Sequence, residues 1–200
     1  TMNVEAYGTV KAREDMKLVA EVNGRVEYIS EFFDEGCFVK KGTLILRIDQ
    51  REFKINVKMA EANLKQLEAK IENLNQETLN LKENIAIAKN NLEISEKEYS
   101  RFQKLARQNI VSKTNMEKTK RVCLKDLSSL KELENQLKLM PARKKMLGAQ
   151  KILKEASYDR ALLELAKTEI TTPFDGRVIE KNIMTGEYVR NSQYIGRIYK

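Results

Sequence analysis

The side chains that most often carry enzyme chemistry are scarce in this sequence. Its 200 residues include no histidine, which is the commonest acid–base group and metal ligand near neutral pH. The two cysteines, Cys37 and Cys123, have no spacing typical of a metal or redox site. No nucleophile–base pair, phosphate-binding loop or pair of carboxylates stands out either. The sequence therefore predicts a protein that is not an enzyme and that uses no cofactor and no bound metal.

Basic side chains are the most concentrated chemical feature. The chain has 37 basic and 29 acidic residues, and its net charge is +8. Segment 97–121 holds eight basic and two acidic residues, and segment 138–154 holds six basic and none acidic. Such clusters suit nucleic acid, anionic lipid or an acidic protein surface, and they are equally typical of a solvated helix face. Because no stacking aromatics or binding motif accompany them, we do not expect a nucleic-acid partner.

A short glycine-containing pattern occurs near both ends of the chain. Val-Asn-Gly-Arg-Val at 22–26 is followed by Gly-Cys-Phe-Val-Lys-Lys-Gly at 36–42. Phe-Asp-Gly-Arg-Val at 174–178 is followed by Gly-Glu-Tyr-Val-Arg-Asn-Ser at 186–192. Short apolar or alternating runs at 18–20, 26–29 and 44–48, with glycines between them, predict β-strands, and segment 4–10 is also strand-like. Residues 170–200 repeat this style.

The sequence between the two copies has a helical period. From residue 53, core-type positions recur in steps of four and three without a slip, and all but two are apolar or aromatic. Such regularity predicts a coiled coil over 51–108, about 85 Å long at 1.5 Å per residue. The positions are Phe53, Val57, Ala60, Leu64, Leu67, Ile71, Leu74, Thr78, Leu81, Ile85, Ala88, Leu92, Ser95, Tyr99 and Phe102.

The pattern stops at Gln-Asn-Ile-Val-Ser, residues 108–112. Asn109 suits the left-handed residue that ends many helices. Either Ser112 or Thr114 can cap the next helix, and Thr-Asn-Met-Glu at 114–117 has the form of a capping box. A second helix over about 113–167 is nearly as long as the first. The two helices therefore predict an antiparallel hairpin.

The second helix is less regular. We expect its contact seam to use Cys123, Leu127, Leu130, Leu133, Leu137 and Met140, and then Leu147, Leu153, Ala156, Leu162 and Leu165 in an uncertain register. Pro141 lacks a backbone donor and clashes with the preceding turn, so we predict a kink or a short break near Met140.

A hairpin that leaves the first β segment and returns beside it brings the two repeated halves together. The predicted fold class is therefore α+β, a split β-sandwich with an inserted antiparallel coiled-coil hairpin. We expect the first half of the β domain at 1–50, the hairpin at 51–168 with its tip near 108–113, and the second half at 169–200. The N-terminal strand would enter from a β-barrel domain outside the sequence.

These segments resemble the central part of the HlyD-type membrane fusion proteins, the periplasmic adaptors of tripartite efflux systems. The two Gly-Arg-Val halves resemble that family's lipoyl-like domain, a barrel-sandwich hybrid, and the insertion resembles its α-helical hairpin. The resemblance implies location in the periplasm and anchoring to the inner membrane through parts outside this sequence. The residues at 172–178 resemble adaptors of RND pumps more closely than those of ABC-type export or type I secretion systems, which remain the alternative.

The hairpin tip carries the most specific motif. The family's tip pattern is Arg, three residues, Leu, six residues, Ser, and this sequence has Arg101, Leu105 and Ser112 at that spacing. The resemblance implies that these residues contact a TolC-like outer-membrane channel. Arg101 and Leu105 lie off the seam on a shared face. Arg101 is otherwise one more surface cation, and Ser112 otherwise a helix cap.

The resemblance also implies further partners: an inner-membrane RND or ABC transporter, and copies of the same chain in a ring, probably of six. Two other functions remain open. A lipoyl or biotinyl carrier domain shares the β fold but needs a modified lysine at the turn between its halves, and the first half ends here on Ile-Asp-Gln at 48–50. A purely structural or nucleic-acid-binding coiled coil is the other alternative.

Overall fold

A computed structural model describes residues 15–200 of the chain, so the strand predicted at 4–10 lies outside the described residues. The chain forms two compact units. Of the described residues, the first unit comprises 15–62 and 156–200, and the second comprises 63–155. The division into domains at 50/51 and 168/169 remains a prediction.

The described residues contain eight strands and two helices. The strands are β1 (Asp15–Val19), β2 (Gly24–Ile29), β3 (Phe38–Val39), β4 (Leu44–Ile48), β5 (Glu169–Thr171), β6 (Gly176–Lys181), β7 (Tyr188–Val189) and β8 (Tyr194–Tyr199). The helices α1 (Arg51–Arg107) and α2 (Lys113–Ala166) lie between β4 and β5. The expected α+β fold, a split sandwich with an inserted hairpin, is confirmed.

Each of the two sheets in the first unit contains strands from both ends of the chain. The strand orders are β1-β8-β6-β3 and β5-β4-β2-β7, and every described pairing is antiparallel. The core between the sheets is likewise shared, because Phe33, Ile45 and Ile48 from the first half pack with Ile195 and Ile198 from the second. Neither half has a complete sheet or a complete core without the other.

The two repeated halves exchange equivalent backbone hydrogen bonds. The N–H of Gly36 donates to the carbonyl of Val178 at 2.9 Å, and the N–H of Gly186 donates to the carbonyl of Val26 at 2.9 Å. In each copy of the repeated pattern, therefore, the glycine donates to the other copy and the valine of Gly-Arg-Val accepts from it. Gly36 and Gly186 have φ of 81° and 89°, a left-handed conformation in which glycine is not strained. This requirement explains why both copies begin their second segment with glycine.

The hairpin leaves and re-enters the β unit at adjacent points. The Thr168 hydroxyl accepts a hydrogen bond from the Gln50 side-chain amide at 2.8 Å and donates one to the carbonyl of Leu165 at 2.6 Å. Asp49 accepts hydrogen bonds from the backbone and side chain of Arg51, which lower the pKa of Asp49 to about 2. These contacts fix the start of α1 beside Thr168, two residues after the end of α2.

The heptad prediction for α1 is confirmed. All fifteen core-type positions predicted from residue 53 to residue 102 are buried or half-buried, including the polar Thr78 and Ser95. Thr78 and Ser95 satisfy their hydroxyls within the helix by donating to the carbonyls of Leu74 and Leu92. Neither helix has an apolar stretch long enough to cross a membrane, as judged over residues 15–200.

The prediction for α2 is partly wrong. Leu127, Leu153, Ala156 and Leu162 are exposed, so they do not serve the seam, whereas Leu130, Met140, Leu147 and Leu165 are buried or half-buried. The buried and half-buried positions keep steps of four and three from Cys123 to Met140, and the seam also passes through polar positions. Asp126 and Lys151 are half-buried there, and Lys151 forms ion pairs with Glu68 at 3.1 Å and Glu155 at 3.6 Å. Leu127 is one residue from Asp126 and Leu153 is two residues from Lys151. The apolar pattern therefore predicted these leucines as seam residues in place of the polar ones.

Helix α2 continues through Pro141, so the predicted short break is wrong. Proline removes one helical hydrogen bond, but long helical segments on both sides and the buried Met140 hold the chain in the helix. The other alternative, a kink, remains a prediction.

Candidate functional site: the hairpin tip

The end of α1 is fixed by a network of backbone bonds. Asn109 has φ of 56°, the left-handed conformation predicted for it. The N–H of Ile110 donates to the carbonyl of Leu105 at 3.0 Å, and the N–H of Asn109 donates to that of Ala106 at 3.1 Å. This pair of bonds is the Schellman motif. It turns the chain sharply after α1 and defines where the tip lies.

Ser112 is the cap of α2. Its hydroxyl accepts a hydrogen bond from the N–H of Asn115 at 3.3 Å, and its carbonyl accepts from the same N–H at 3.1 Å. The alternative capping box that begins at Thr114 is wrong, because α2 starts at Lys113 and Thr114 is already inside the helix. The turn therefore spans only the five residues 108–112 between the helices.

Arg101 and Leu105 lie together on the outer surface of α1. Both line a shallow depression of about 530 Å³ with Glu96, Lys97, Ser100 and Lys104. The Arg101 guanidinium lies 5.7 Å from the centre of the Phe102 ring and 3.8 Å from the Glu98 carboxylate. Since Phe102 is part of the seam, the ring supports Arg101 from below. Leu105 is half-buried and adds an apolar side chain next to this charge.

The lining of the depression has more basic than acidic side chains. Lys97, Arg101 and Lys104 face one acidic lining residue, Glu96, and Lys97 is paired with Glu93 at 2.5 Å. The hydrogen bond from Lys97 lowers the pKa of Glu93. An exposed guanidinium on an aromatic ring, next to an apolar side chain, is a combination often found at protein interfaces. The site is therefore suited to binding a protein surface.

The third predicted residue lies elsewhere on the tip. Ser112 is exposed but lines neither this depression nor a second one of about 450 Å³, which Gln103, Arg107, Asn109, Val111 and Met116 help to form. The sequence analysis also missed Ile110, which is 65% exposed. The sequence feature that could have indicated Ile110 is the apolar pair Ile110 and Val111 inside an otherwise polar turn. The tip thus presents two surfaces: Arg101 with Leu105 on α1, and Ile110 with Ser112 at the turn.

Comparison with protein-family models gives a match over nearly the whole chain. Residues 14–198 match the model described as "RND MFP, barrel-sandwich hybrid domain". The matched region covers both β halves and the hairpin between them.

The individual proteins that resemble this chain have low sequence identity to it. The chain is 26% identical over 182 residues to the multidrug resistance protein MdtA of Xenorhabdus bovienii, covering 91% of this chain and 33% of that protein. It is 26% identical over 189 residues to MdtA of Escherichia coli K12, covering 94% of this chain and 35% of that protein. The chain thus spans about a third of the length of the relatives it matches.

Two solved structures share the fold. MacA from Actinobacillus actinomycetemcomitans superposes with a TM-score of 0.58 at 20% identity, covering 95% of this chain and 50% of that chain. The periplasmic adaptor protein EmrA superposes with a TM-score of 0.52 at 17% identity, covering 95% of this chain and 73% of that chain.

Proposed function

This chain belongs to the RND-type membrane fusion proteins, and we therefore propose that it is part of a non-catalytic periplasmic adaptor for small-molecule efflux. The adaptor links an inner-membrane transporter to a TolC-like outer-membrane channel. The tip of the hairpin docks on the channel through Arg101 and Leu105, with Ser112 at the edge of the contact. Transport energy comes from the transporter, and the adaptor contributes shape and specific contacts.

The observation that carries this proposal is the exposed Arg101 next to the half-buried Leu105, both on the outer surface of α1. Phe102 and Glu98 hold the Arg101 guanidinium in place, so little side-chain entropy is lost when a partner binds. The surrounding lysines and arginines favour approach to an acidic or polar channel mouth.

The partners and the assembly follow from the same proposal. The inner-membrane transporter is an RND pump, in keeping with the RND-type family. Copies of the chain assemble side by side into a ring, with six members as the expected number. The carrier function has less support, because the chain passes from the end of β4 through Asp49 and Gln50 directly into α1, where a carrier domain has its lysine-bearing turn.

Reversing the polarity of the tip tests the proposal. We expect the double variant Arg101→Asp/Leu105→Glu to lose efflux in cells that carry the partner transporter and channel. Its affinity for the channel should fall at least about thirtyfold, because loss of an interface hot spot costs about 2 kcal/mol or more. Circular dichroism should show unchanged helix content, since neither side chain belongs to the seam.

A matched control is available in α2. Arg160 and Leu163 are both exposed, are one helical turn apart and lie in the other compact unit. The variant Arg160→Asp/Leu163→Glu makes the same chemical change and should keep efflux and channel affinity. Normal efflux in the tip variant, at normal protein level, would refute the assignment of Arg101 and Leu105.

A further inference from the structure

A groove lies between the two helices in the middle of the second unit. Its volume is about 530 Å³, and its lining comes from segment 75–82 of α1 and segment 137–144 of α2. Small-molecule sites in proteins commonly have volumes of about 300–1,000 Å³. None of its lining residues belongs to either depression at the tip. We call this feature the mid-hairpin groove, and it is distinct from the surface proposed for channel docking.

The floor of the mid-hairpin groove is apolar. Met140 is buried, Leu137 is half-buried, and the Pro141 ring also lines the groove. Leu79 lines it from α1 and is 52% exposed, so part of its side chain is open to a ligand. Thr78 donates its hydroxyl hydrogen to a carbonyl within α1. An apolar chain that covers this floor therefore removes apolar surface from water without burying a free hydroxyl donor.

Polar side chains lie at both ends of the groove. The ion pair between Glu77 and Arg143, at 3.5 Å, sets the register of the antiparallel helices. In that register Asn75 and Lys144 are at nearly the same level, whereas Lys82 is closer to the tip. The distance along the helix from Asn75 to Lys82 is about 10 Å at 1.5 Å per residue. One end of the groove therefore has Asn75 with Lys144, and the other has Lys82.

The positive charge of the groove is not neutralised within the hairpin. Lys82 and Lys144 are exposed, and neither forms an ion pair with a residue in the described part of the chain. No acidic residue lines the groove, and segment 138–154 contains none. Lys97 and Lys151 in the same unit, by contrast, each pair with a glutamate. The groove thus combines an apolar floor with two cations that are available to a ligand.

The Asn75 side chain adds a donor next to Lys144. It is half-buried, and its amide forms no hydrogen bond with any group of residues 15–200. A carboxylate accepts hydrogen bonds from an amide N–H and from an ammonium, and the bond to the ammonium is charge-assisted. Both donors can therefore be satisfied by one anionic headgroup. This end of the groove is the better place for such a group, because the other end has Lys82 alone.

We propose that the mid-hairpin groove binds an anionic amphiphile, a molecule with a carboxylate headgroup and an unbranched apolar chain. The headgroup lies at Asn75 and Lys144, and the chain runs over Leu79 and Met140 toward Lys82. The groove opens between the two helices of one hairpin, so copies that stand against the outer flanks of the helices leave it accessible. The inference goes beyond channel docking, since it gives the adaptor a small-molecule site of its own.

Titration with dodecanoate, below the concentration at which it forms micelles, tests the site. Methyl-labelled methionines report binding, because Met140 lines the groove and the 55% exposed Met146 lies outside it. We expect the Met140 methyl resonance to shift and to saturate with a dissociation constant of about 1 mM or lower, as is usual for a ligand of this size. Met146 should not respond. An unchanged Met140 resonance, or equal shifts at both methyls, would overturn the proposal.

Two further ligands separate the contributions of headgroup and chain. Dodecyltrimethylammonium has the same chain with the opposite charge and should bind at least about tenfold more weakly than dodecanoate. Acetate has the carboxylate without the chain and should cause no saturable shift. Equal affinity for the cationic amphiphile would contradict the headgroup assignment, because the groove would then be an apolar surface without selectivity for anions.

Matched variants locate the charge that attracts the anion. Lys82→Gln/Lys144→Gln should weaken dodecanoate binding at least about tenfold, because both groove cations are lost. Lys138→Gln/Lys145→Gln removes the same charge from exposed positions that do not line the groove and should leave the affinity unchanged. Equal weakening in the two variants would show that the net charge attracts the anion, and would exclude a specific site.

Single substitutions test the orientation of the ligand. Asn75→Asp places a carboxylate at the headgroup end and should weaken binding at least about tenfold, whereas Asn73→Asp adds the same charge at an exposed position outside the groove and should not. Leu79→Asn should weaken binding about fivefold through lost chain contact, and Leu139→Asn should have no effect, because Leu139 does not line the groove. Normal affinity in both Asn75→Asp and Leu79→Asn would refute the assignment.

The same titration distinguishes this site from the docking surface. Arg101→Asp/Leu105→Glu should keep its affinity for dodecanoate, because neither residue lines the mid-hairpin groove. If Met140 responds as expected while that variant still binds the channel, the docking proposal fails and the amphiphile site stands. If Met140 does not respond while the variant loses the channel, the amphiphile site fails and docking stands.

Discussion

Replacing Gly196 with alanine is expected to destabilise the β unit by about 3 kcal/mol or more. Gly196 lies in β8 between β1 and β6, where it pairs with Leu18 and Lys181. A Cβ atom there would stand 2.4 Å from the backbone carbonyl oxygen of Glu180 and 2.6 Å from the ring of Phe33. Phe33 is fully buried, so the ring has no free space to move into. Either the central strand or the core must shift.

A second glycine provides a matched control. Gly148 is inside α2, and an added Cβ would meet nothing within 4 Å. Gly148→Ala should therefore stabilise the helix by about 0.5–1 kcal/mol, because alanine loses less backbone entropy on folding. Urea unfolding monitored by circular dichroism measures both variants. Equal stability of Gly196→Ala and the unchanged chain would contradict the packing described around Phe33.

Exchanging the second unit for a short loop is expected to leave the β unit folded. Residues 62 and 156, where the first unit ends and resumes, lie on the paired helices, so a four-residue Gly/Asn loop replaces residues 63–155. The core of Phe33, Ile45, Ile48, Ile195 and Ile198 remains complete, and Gln50 still bonds to Thr168. Closing a shorter loop also costs less entropy. Dispersed methyl resonances and cooperative unfolding would report the folded unit.

The opposite experiment removes one half. Residues 15–62 alone should be unfolded, because β1 then lacks β8, β2 lacks β7 and the core loses its second half. If this segment folds by itself, the two halves do not form one split domain. If the loop-exchanged chain is unfolded, the hairpin does more than connect them. In neither shortened chain should any channel binding remain, because both lack the tip.

The sequence alone was sufficient for α1 and for the split β unit. A heptad pattern of fifteen positions specifies one buried stripe, and the paired glycines mark turns that need left-handed backbone in both halves. Asn109 and Ser112 were predicted as helix-end residues because each satisfies a particular backbone requirement. These features depend on local chemistry that a sequence displays directly.

Helix α2 shows where such reasoning fails. Its seam accepts Lys151 because Glu68 on α1 pairs with it, a contact between residues far apart in sequence. Leu153 is apolar but 70% exposed, so hydrophobicity alone assigned it to the seam wrongly. Ile110 was missed because a turn residue has no period to reveal it. The separation of Ser112 from Arg101 and Leu105 also required three-dimensional placement.

The most direct test of the central claim is site-specific photo-crosslinking in cells that contain the transporter and the outer-membrane channel. A photoreactive amino acid at Leu105 should give a covalent product with the channel, while the same group at Leu163, exposed in the other compact unit, should not. The product should disappear when Arg101→Asp is added. A channel product from position 163 and none from position 105 would contradict docking through the hairpin tip.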